Sequence, residues 1–356
     1  MHLTAALAMS ACALALVGCG PRPAARDAVP VDPVAETAAA LNPCDDGGDA
    51  FARAVCANPQ LAALEGELRA ALAREAADVS EAGRQALVES QQRWLQAQRT
   101  ACGIIDPDAA PSAVEIACLR ARLADRTRQA AGAVEQLGGY TFQRMEIVSA
   151  QAVTAEAAAA SGLGESAPPA ITRDIRFPRM DEAATPQAAR FNALVAQQPQ
   201  YRLEDQTEEQ VTYRIAYAGP ALISVRFDLY ESSLGAAHPN TSARAVNVVM
   251  TTGQPLTAGD VFRAGSGWEN FLVERATRAL TRQFRDQGFE PPEADVRDTV
   301  TKPHLWLITE QGLVLLFPPY SFGGPYALGD AEVAVPWADL ARFLNPNAPA
   351  PIRRSS

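Results

Sequence analysis

Hydrophobic positions fall into two regimes along the 356-residue chain. Between Cys44 and Leu137 they recur at three- and four-residue steps, the period of a helix with one buried face. Asn58-Pro59 reads as an N-cap and first-turn pair, followed by the stripe Leu61, Leu64, Leu68 and Leu72. After Ser80 a second stripe runs through Leu87, Gln91, Trp94, Leu95, Gln98 and Cys102. A third joins Ile116, Leu119, Leu123, Thr127, Ala130, Val134 and Leu137, and Gly138-Gly139 is expected to end it. Beyond residue 170 the period becomes two. "ITRDIRF", "VTYRIAYA", "ALISVRFDLY" and "RAVNVVMT" read as strands, as do the later "LWLIT", "LVLLF" and "EVAVP". Helices are expected at 186–197 and 268–287, the second with Phe271, Leu272, Ala276, Ala279, Leu280 and Phe284 on one face.

The pattern predicts a multi-domain chain, a small disulfide-linked α-helical bundle over 42–138 followed by an α+β domain with a mainly antiparallel sheet over 171–345. Residues 139–170 are expected to be a linker or long loop, and 346–356 a disordered tail.

The N-terminus bears on location. "LTAALAMSACALALVGC" has signal-peptide length and ends in small residues before a cysteine, and it is short for a membrane span. Leu16-Val17-Gly18-Cys19 resembles the lipobox of bacterial lipoproteins, with residues 1–18 removed and a palmitate-bearing lipid placed on Cys19. Gly20 follows where many inner-membrane lipoproteins carry aspartate, so the expectation is a periplasmic chain anchored to the outer membrane. The Pro- and Ala-rich residues 19–41 read as a tether.

The formal net charge of −10 lies along the whole chain, and no basic face of the kind nucleic acid requires is evident. Once Cys12 and Cys19 are set aside, Cys44, Cys56, Cys102 and Cys118 remain within one window, an even set that reads as two disulfides in an oxidising compartment. Zinc is a poor rival, because the spacings are long, no CxxC occurs and no histidine lies near. An up-down-up bundle brings all four cysteines to one end. Pairing Cys56 with Cys102 and Cys44 with Cys118 is preferred, and Cys44–Cys102 with Cys56–Cys118 is the alternative.

The window carries a resemblance. Cys44, Cys56, "SQQRWLQAQRTAC" and "CLRARLADR" are similar to the N-terminal domain of the lysozyme inhibitor LprI family, through Gln92, Arg93, Trp94, Arg99, Cys102, Cys118, Leu119 and Arg126. The family's tyrosine in the first helix is missing from "LEGEL". Trp94 lies on the apolar stripe and is expected in the core.

His238, in "GAAHPNTSARAVNVVMTTGQPLTAGDVF", raises the question of catalysis. The chain has no GxSxG, no HExxH and no glycine-rich phosphate loop, so no enzyme, cofactor or metal is expected. Gly235, Pro239, Asn240 and Thr241 instead predict a turn between strands. That stretch, together with "LLFPPYSFGGPYALGDAEVAVPWADL", resembles the C-terminal domain family shared by the anti-sigma factor RsiV and the peptidoglycan deacetylase PdaC. The matching positions include Gly235, His238, Pro239, Asn240, Thr252, Gly253, Leu256, Asp260, Pro319, Tyr320, Gly329 and Pro336. Both resemblances imply lysozyme or another peptidoglycan hydrolase as partner. The alternative is a peptidoglycan-binding or envelope-stress sensory module.

Overall fold

The computed structural model describes residues 32–44, 50–104, 106, 109–197 and 206–353. The predicted leader and Cys19 lie outside the described residues. Pro33 onward forms one compact unit. Among the described residues no helix is long and apolar enough to cross a membrane.

The chain opens with α1 (Pro33–Ala40), α2 (Ala50–Ala57), α3 (Pro59–Ala77), α4 (Glu81–Ala101) and α5 (Ala113–Ala130). Side chains stop the fraying of each long helix. Asn58 accepts from Gln60 N and Leu61 N at 3.0 and 3.2 Å, Ser80 accepts from Gly83 N, and Ser112 forms a reciprocal capping box with Glu115. Leu61, Leu68, Leu72, Leu87, Trp94, Leu119 and Leu123 make the core of this helical layer. The part of the expected tether from Pro33 to Ala40 is ordered into α1, which buries Thr37, and Leu41 just after it is buried as well.

The disulfides join Cys44 to Cys56 and Cys102 to Cys118, which corrects both expected pairings. The reason is local. Cys56 closes α2 back onto the segment before it, with Cα atoms 5.8 Å apart. Cys102 caps α4 and Cys118 lies in the second turn of the antiparallel α5, with Cα atoms 5.7 Å apart. Each bridge closes a short loop, and a loop of this length contributes about 3 kcal/mol in the chain-entropy account.

The third helix ends at Ala130, seven residues earlier than its apolar period implied. Val134 and Leu137 belong to β1 (Val134–Leu137), and Gly138 and Gly139 turn a two-residue hairpin into β2 (Tyr140–Ala152). Both glycines have positive φ, 61° and 84°, as such tight turns require. A Cβ on Gly138 would meet the Ala218 carbonyl oxygen at 2.3 Å. The expected linker 139–170 is therefore mostly structure: β2, then α6 (Ala155–Ala160), running into β3 (Ala170–Met180). β2 pairs with β3 over eleven residues, from Phe142↔Met180 to Ala152↔Ala170. Backbone pairing outweighs the weak strand propensity of its alanines.

After β3 come α7 (Pro186–Ala196), β4 (Thr207–Ala218), β5 (Leu222–Ser233), β6 (Asn240–Val249) and β7 (Gln254–Pro255). They complete a seven-stranded sheet in sequence order, antiparallel throughout except where β3 runs parallel to β4. A parallel pair needs a crossover, and α7 lies within it, burying Phe191 and Val195 against Ile175, Val211 and Phe227. The chain continues through α8 (Ala258–Val261), α9 (Trp268–Gln283), α10 (Glu293–Val300), β8 (Trp306–Ile308), β9 (Gly312–Phe317), β10 (Ala331–Pro336) and α11 (Trp337–Leu340). β10, β9 and β8 form a second, antiparallel sheet. The continuous apolar run of β9 is explained by burial on both faces: Leu313, Leu315 and Phe317 pack in the core that contains α9 and α10, while Leu316 and Val314 meet Ala243 and Ala245 of the large sheet. Ala348 and Ile352 of the expected tail are buried in the same core as α9.

The helical layer meets the large sheet through α4 and β2. The seam is polar. Arg126 donates to Glu146 and, at 3.2 Å, to Gln91; Arg144 donates to the other Glu146 oxygen at 2.8 Å. The Arg126 guanidinium lies 5.4 Å from the Trp94 ring centroid. Burial pushes the Glu146 carboxyl up, but Arg126 and Arg144 outweigh it and hold the group below its ordinary range. Glu75 has weaker compensation, and burial raises its pKa.

Arg126→Met should cost about 3 kcal/mol, because it leaves Glu146 buried with one partner fewer. Replacing both residues by apolar ones should recover most of that in urea denaturation, and a loss below about 1 kcal/mol for the single variant contradicts the seam's role. A second expectation concerns acid. Burial pushes Asp181 up, but Ser80 donates to it from N and Oγ at 2.6 and 2.7 Å and Arg179 stands beside it, so its pKa is lowered on folding. Its contribution is complete above the unfolded carboxylate range and is lost as pH falls through the lowered folded value. Asp181→Asn should therefore weaken the protein at neutral pH and flatten the acid limb of its stability curve.

Candidate functional site

The β5–β6 turn, residues 234–239, is held at its start. Leu234 N donates to Gln206 O at 2.8 Å and Ala236 N to Ser233 O at 2.9 Å. Gly235, with φ +80°, sits so close to the segment after α6 that a Cβ would meet Ser161 O at 2.5 Å. His238 is exposed, and its Nδ1 lies 2.9 Å from Pro239 O. The ring stacks on Tyr326 with centroids 4.3 Å apart and planes 18° from parallel. Asn240, also exposed, opens β6 opposite Glu231.

Tyr326 belongs to the loop from β9 to β10, residues 318–330. Phe322 anchors this loop: it is fully buried, stacked on Phe284 at 5.3 Å and edge-on to Phe317 and Phe289. Thr299 Oγ1 donates to Ser321 O at 2.6 Å. Beside that anchor Tyr320 points outward, 56% exposed, with φ +68° and its ring 5.9 Å from Tyr326. A bulky residue in the left-handed region carries backbone strain.

The 318–330 loop flanks an open groove of about 250 Å³. Its floor is one face of β4, β5 and β6, where register aligns Gln210, Tyr230 and Thr241 in one row and Thr212, Asp228 and Ala243 in the next. Pro319 and Asp330 form the wall. Deeper on the same face, Arg226 donates to Asp228 at 2.7 Å and to Glu332. Burial lowers the Arg226 pKa, but its two carboxylate partners more than offset this, so it stays charged.

The sequence motifs thus divide. His238 and Tyr320, from stretches some eighty residues apart, share the Tyr326 cluster, and Asn240 adjoins the groove row containing Thr241. Trp94, Arg99 and Arg126 belong to the helical layer and do not line the groove. Sequence reasoning missed Tyr326, Asp330, Thr212 and Tyr230. Tyr326 lies in the quoted loop, whereas the strand residues are joined only by register across strands. Among the described residues no carboxylate or hydroxyl nucleophile bonds to the His238 ring, and no group of three His, Cys, Asp or Glu converges as a metal site. His304 stands apart from this ring cluster, in the turn Pro303–Leu305, its pKa lowered by burial and by Lys302 and Arg244.

The arrangement is an open polar groove on the large sheet, walled by Pro319 and Asp330 of the loop that also carries Tyr320 and Tyr326. A family described as "Protein of unknown function (DUF3298)" matches residues 259–338, a range that includes the Tyr320 loop and excludes the helical layer. Two solved structures of that family are similar to the chain. One, from Bacteroides fragilis, is 17% identical with a TM-score of 0.40, over 60% of this chain and 96% of its own. The other, from Pseudomonas aeruginosa, is 15% identical with a TM-score of 0.41, over 61% and 98%. No functionally curated protein matches the chain.

If Tyr320 is kept for contact rather than for stability, Tyr320→Gly should leave the thermal midpoint unchanged or raise stability by up to about 1 kcal/mol, since glycine relieves the left-handed strain. A clear fall in the midpoint would show that the ring is a structural element.

Proposed function

We propose that this chain is a periplasmic lipoprotein, tethered to the outer membrane through Cys19, that binds lysozyme or a related peptidoglycan hydrolase and blunts it. The reading is one of binding and not of catalysis. The observation that carries it is the meeting of the His238 turn and the Tyr320 loop at one exposed aromatic lip beside an acidic groove. Disulfides suit an oxidising envelope compartment, and a chain of net charge −10 gains encounter rate with a basic enzyme. The hydroxyl-rich floor of Thr212, Tyr230 and Thr241 favours a second reading, peptidoglycan binding by the same groove.

Calorimetric titration of the mature protein with c-type lysozyme at low salt should give micromolar or tighter binding, weakened by Tyr320→Ala. Absence of heat at low salt and micromolar concentrations, with retention on purified sacculi, would select the second reading.

A further inference from the structure

Glu75 is buried in the seam between the helices and the large sheet, and the groups that could compensate its charge are committed elsewhere. It lies in the last turn of α3, at the negative end of the helix dipole. Among the described residues its carboxylate receives one hydrogen bond, from Gln143 Nε2 at 3.3 Å, and that nitrogen also donates to Gly83 O at 3.0 Å. The Gln143 Oε1 accepts from Arg179 at 3.1 Å, and Arg179 is paired with Asp181. Arg126 of α5 is bonded to Glu146 and Gln91, and Arg144 of β2 to Glu146 and Gln129 O. Among the described residues neither guanidinium forms an ion pair with Glu75, and the Glu146 charge opposes their more distant attraction. The α4 helix presents only neutral Ser90 here, and β4 presents Tyr213, whose phenol burial keeps neutral. Glu75, Ser90, Arg126 and Glu146 line a cavity of about 10 Å³, room for one water molecule. A carboxylate is not hydrated in that space unless the walls part. A carboxylic acid needs no counter-charge and fits as the walls stand.

We propose that Glu75 is a proton-operated latch between the two layers: with its proton on, the last turn of α3 stays seated against β2, and loss of that proton opens the contact to water. Its direction is opposite to that of the other seam carboxylates. Burial raises the Glu75 pKa, so the contribution of the seated acid is complete below the ordinary carboxylate range and is lost as pH rises through the raised folded value. Glu146 and Asp181, both held low, lose their contributions only as pH falls. The latch is therefore closed in mild acid and released as pH rises above the ordinary carboxylate range.

The test follows amide hydrogen exchange of the full chain from mild acid to neutral pH, each rate divided by the intrinsic rate at that pH. In the wild type, opening at residues 74–77 and 142–144 should rise at least about fivefold over this range, whereas Glu75→Gln, which keeps the shape and the neutral state, should hold it level. Carbon-13 titration of the wild-type glutamate carboxyls reads the proton itself, and the signal absent from Glu75→Gln should be one that ionises above the ordinary range. A Glu75 carboxyl that titrates in or below that range overturns the latch. So does a loss of stability at neutral pH in Glu75→Gln, the outcome of an ionised Glu75 that Arg126 and Arg144 stabilise. A raised titration with exchange level in the wild type refutes it as well, because the buried acid then opens nothing.

Discussion

The site depends on a hydrogen-bonded clasp between the two sheets. Ser224 of β5 accepts from Ile308 N at 3.1 Å, and Asn247 of β6 donates to Trp306 O at 2.7 Å. Both side chains are buried on the face where the small sheet lands. An edge strand such as β8 carries backbone groups that cost stability if buried unpaired, and here side chains of the large sheet satisfy two of them. The clasp is directional as well as favourable. Apolar packing of Leu305, Leu307 and Leu316 over Ala243 and Ala245 would tolerate sliding, whereas two bonds to fixed carbonyl and amide groups set the position. That position decides where the 318–330 loop meets the β5–β6 turn.

The loop itself shows how a packed anchor carries strain. Phe322, stacked among Phe284, Phe289 and Phe317, fixes the backbone two residues from Tyr320. With its neighbour so placed, Tyr320 adopts a left-handed conformation that an unconstrained tyrosine avoids. The stack of His238 on Tyr326 then ties the loop to the turn without burying either end of the lip. Rigid elements therefore hold a partly exposed aromatic surface in place.

Much of the architecture was legible because burial leaves a period. β5 reads as a strand since Val225, Phe227 and Leu229 alternate with Arg226 and Asp228, and α3 announces itself with Asn58-Pro59. The failures have physical causes. β2 passes as a linker because its last residues are alanine and glutamine, and only an eleven-residue ladder with β3 makes them strand. Val134 and Leu137 continue a helical spacing by coincidence, although Gly138-Gly139 was a hairpin signal that could have been read. The disulfide pairing followed from assuming three helices, whereas α2, too short to show a period, draws Cys56 back to Cys44. The groove was legible only at its lip, since a floor assembled from alternate residues of three strands has no contiguous signature.

The two sets of charged residues differ in what they permit. At the seam between helices and sheet, Arg126, Arg144 and Glu146 are buried and mutually compensated, so each is fixed by the cost of leaving the others unpaired. Trp94 is part of the same arrangement through the Arg126 guanidinium. Packing thus accounts for the most distinctive residues of the resemblance in the helical half, and their presence carries no information about a partner. Beside the groove the balance differs: Asp330 and Tyr320 are exposed, and Tyr320 sits in a left-handed backbone. Both lie in the one loop between β9 and β10, so these exposed groups of the sheet half come from a single segment, whereas the buried ion pairs of the seam bind helix and sheet together.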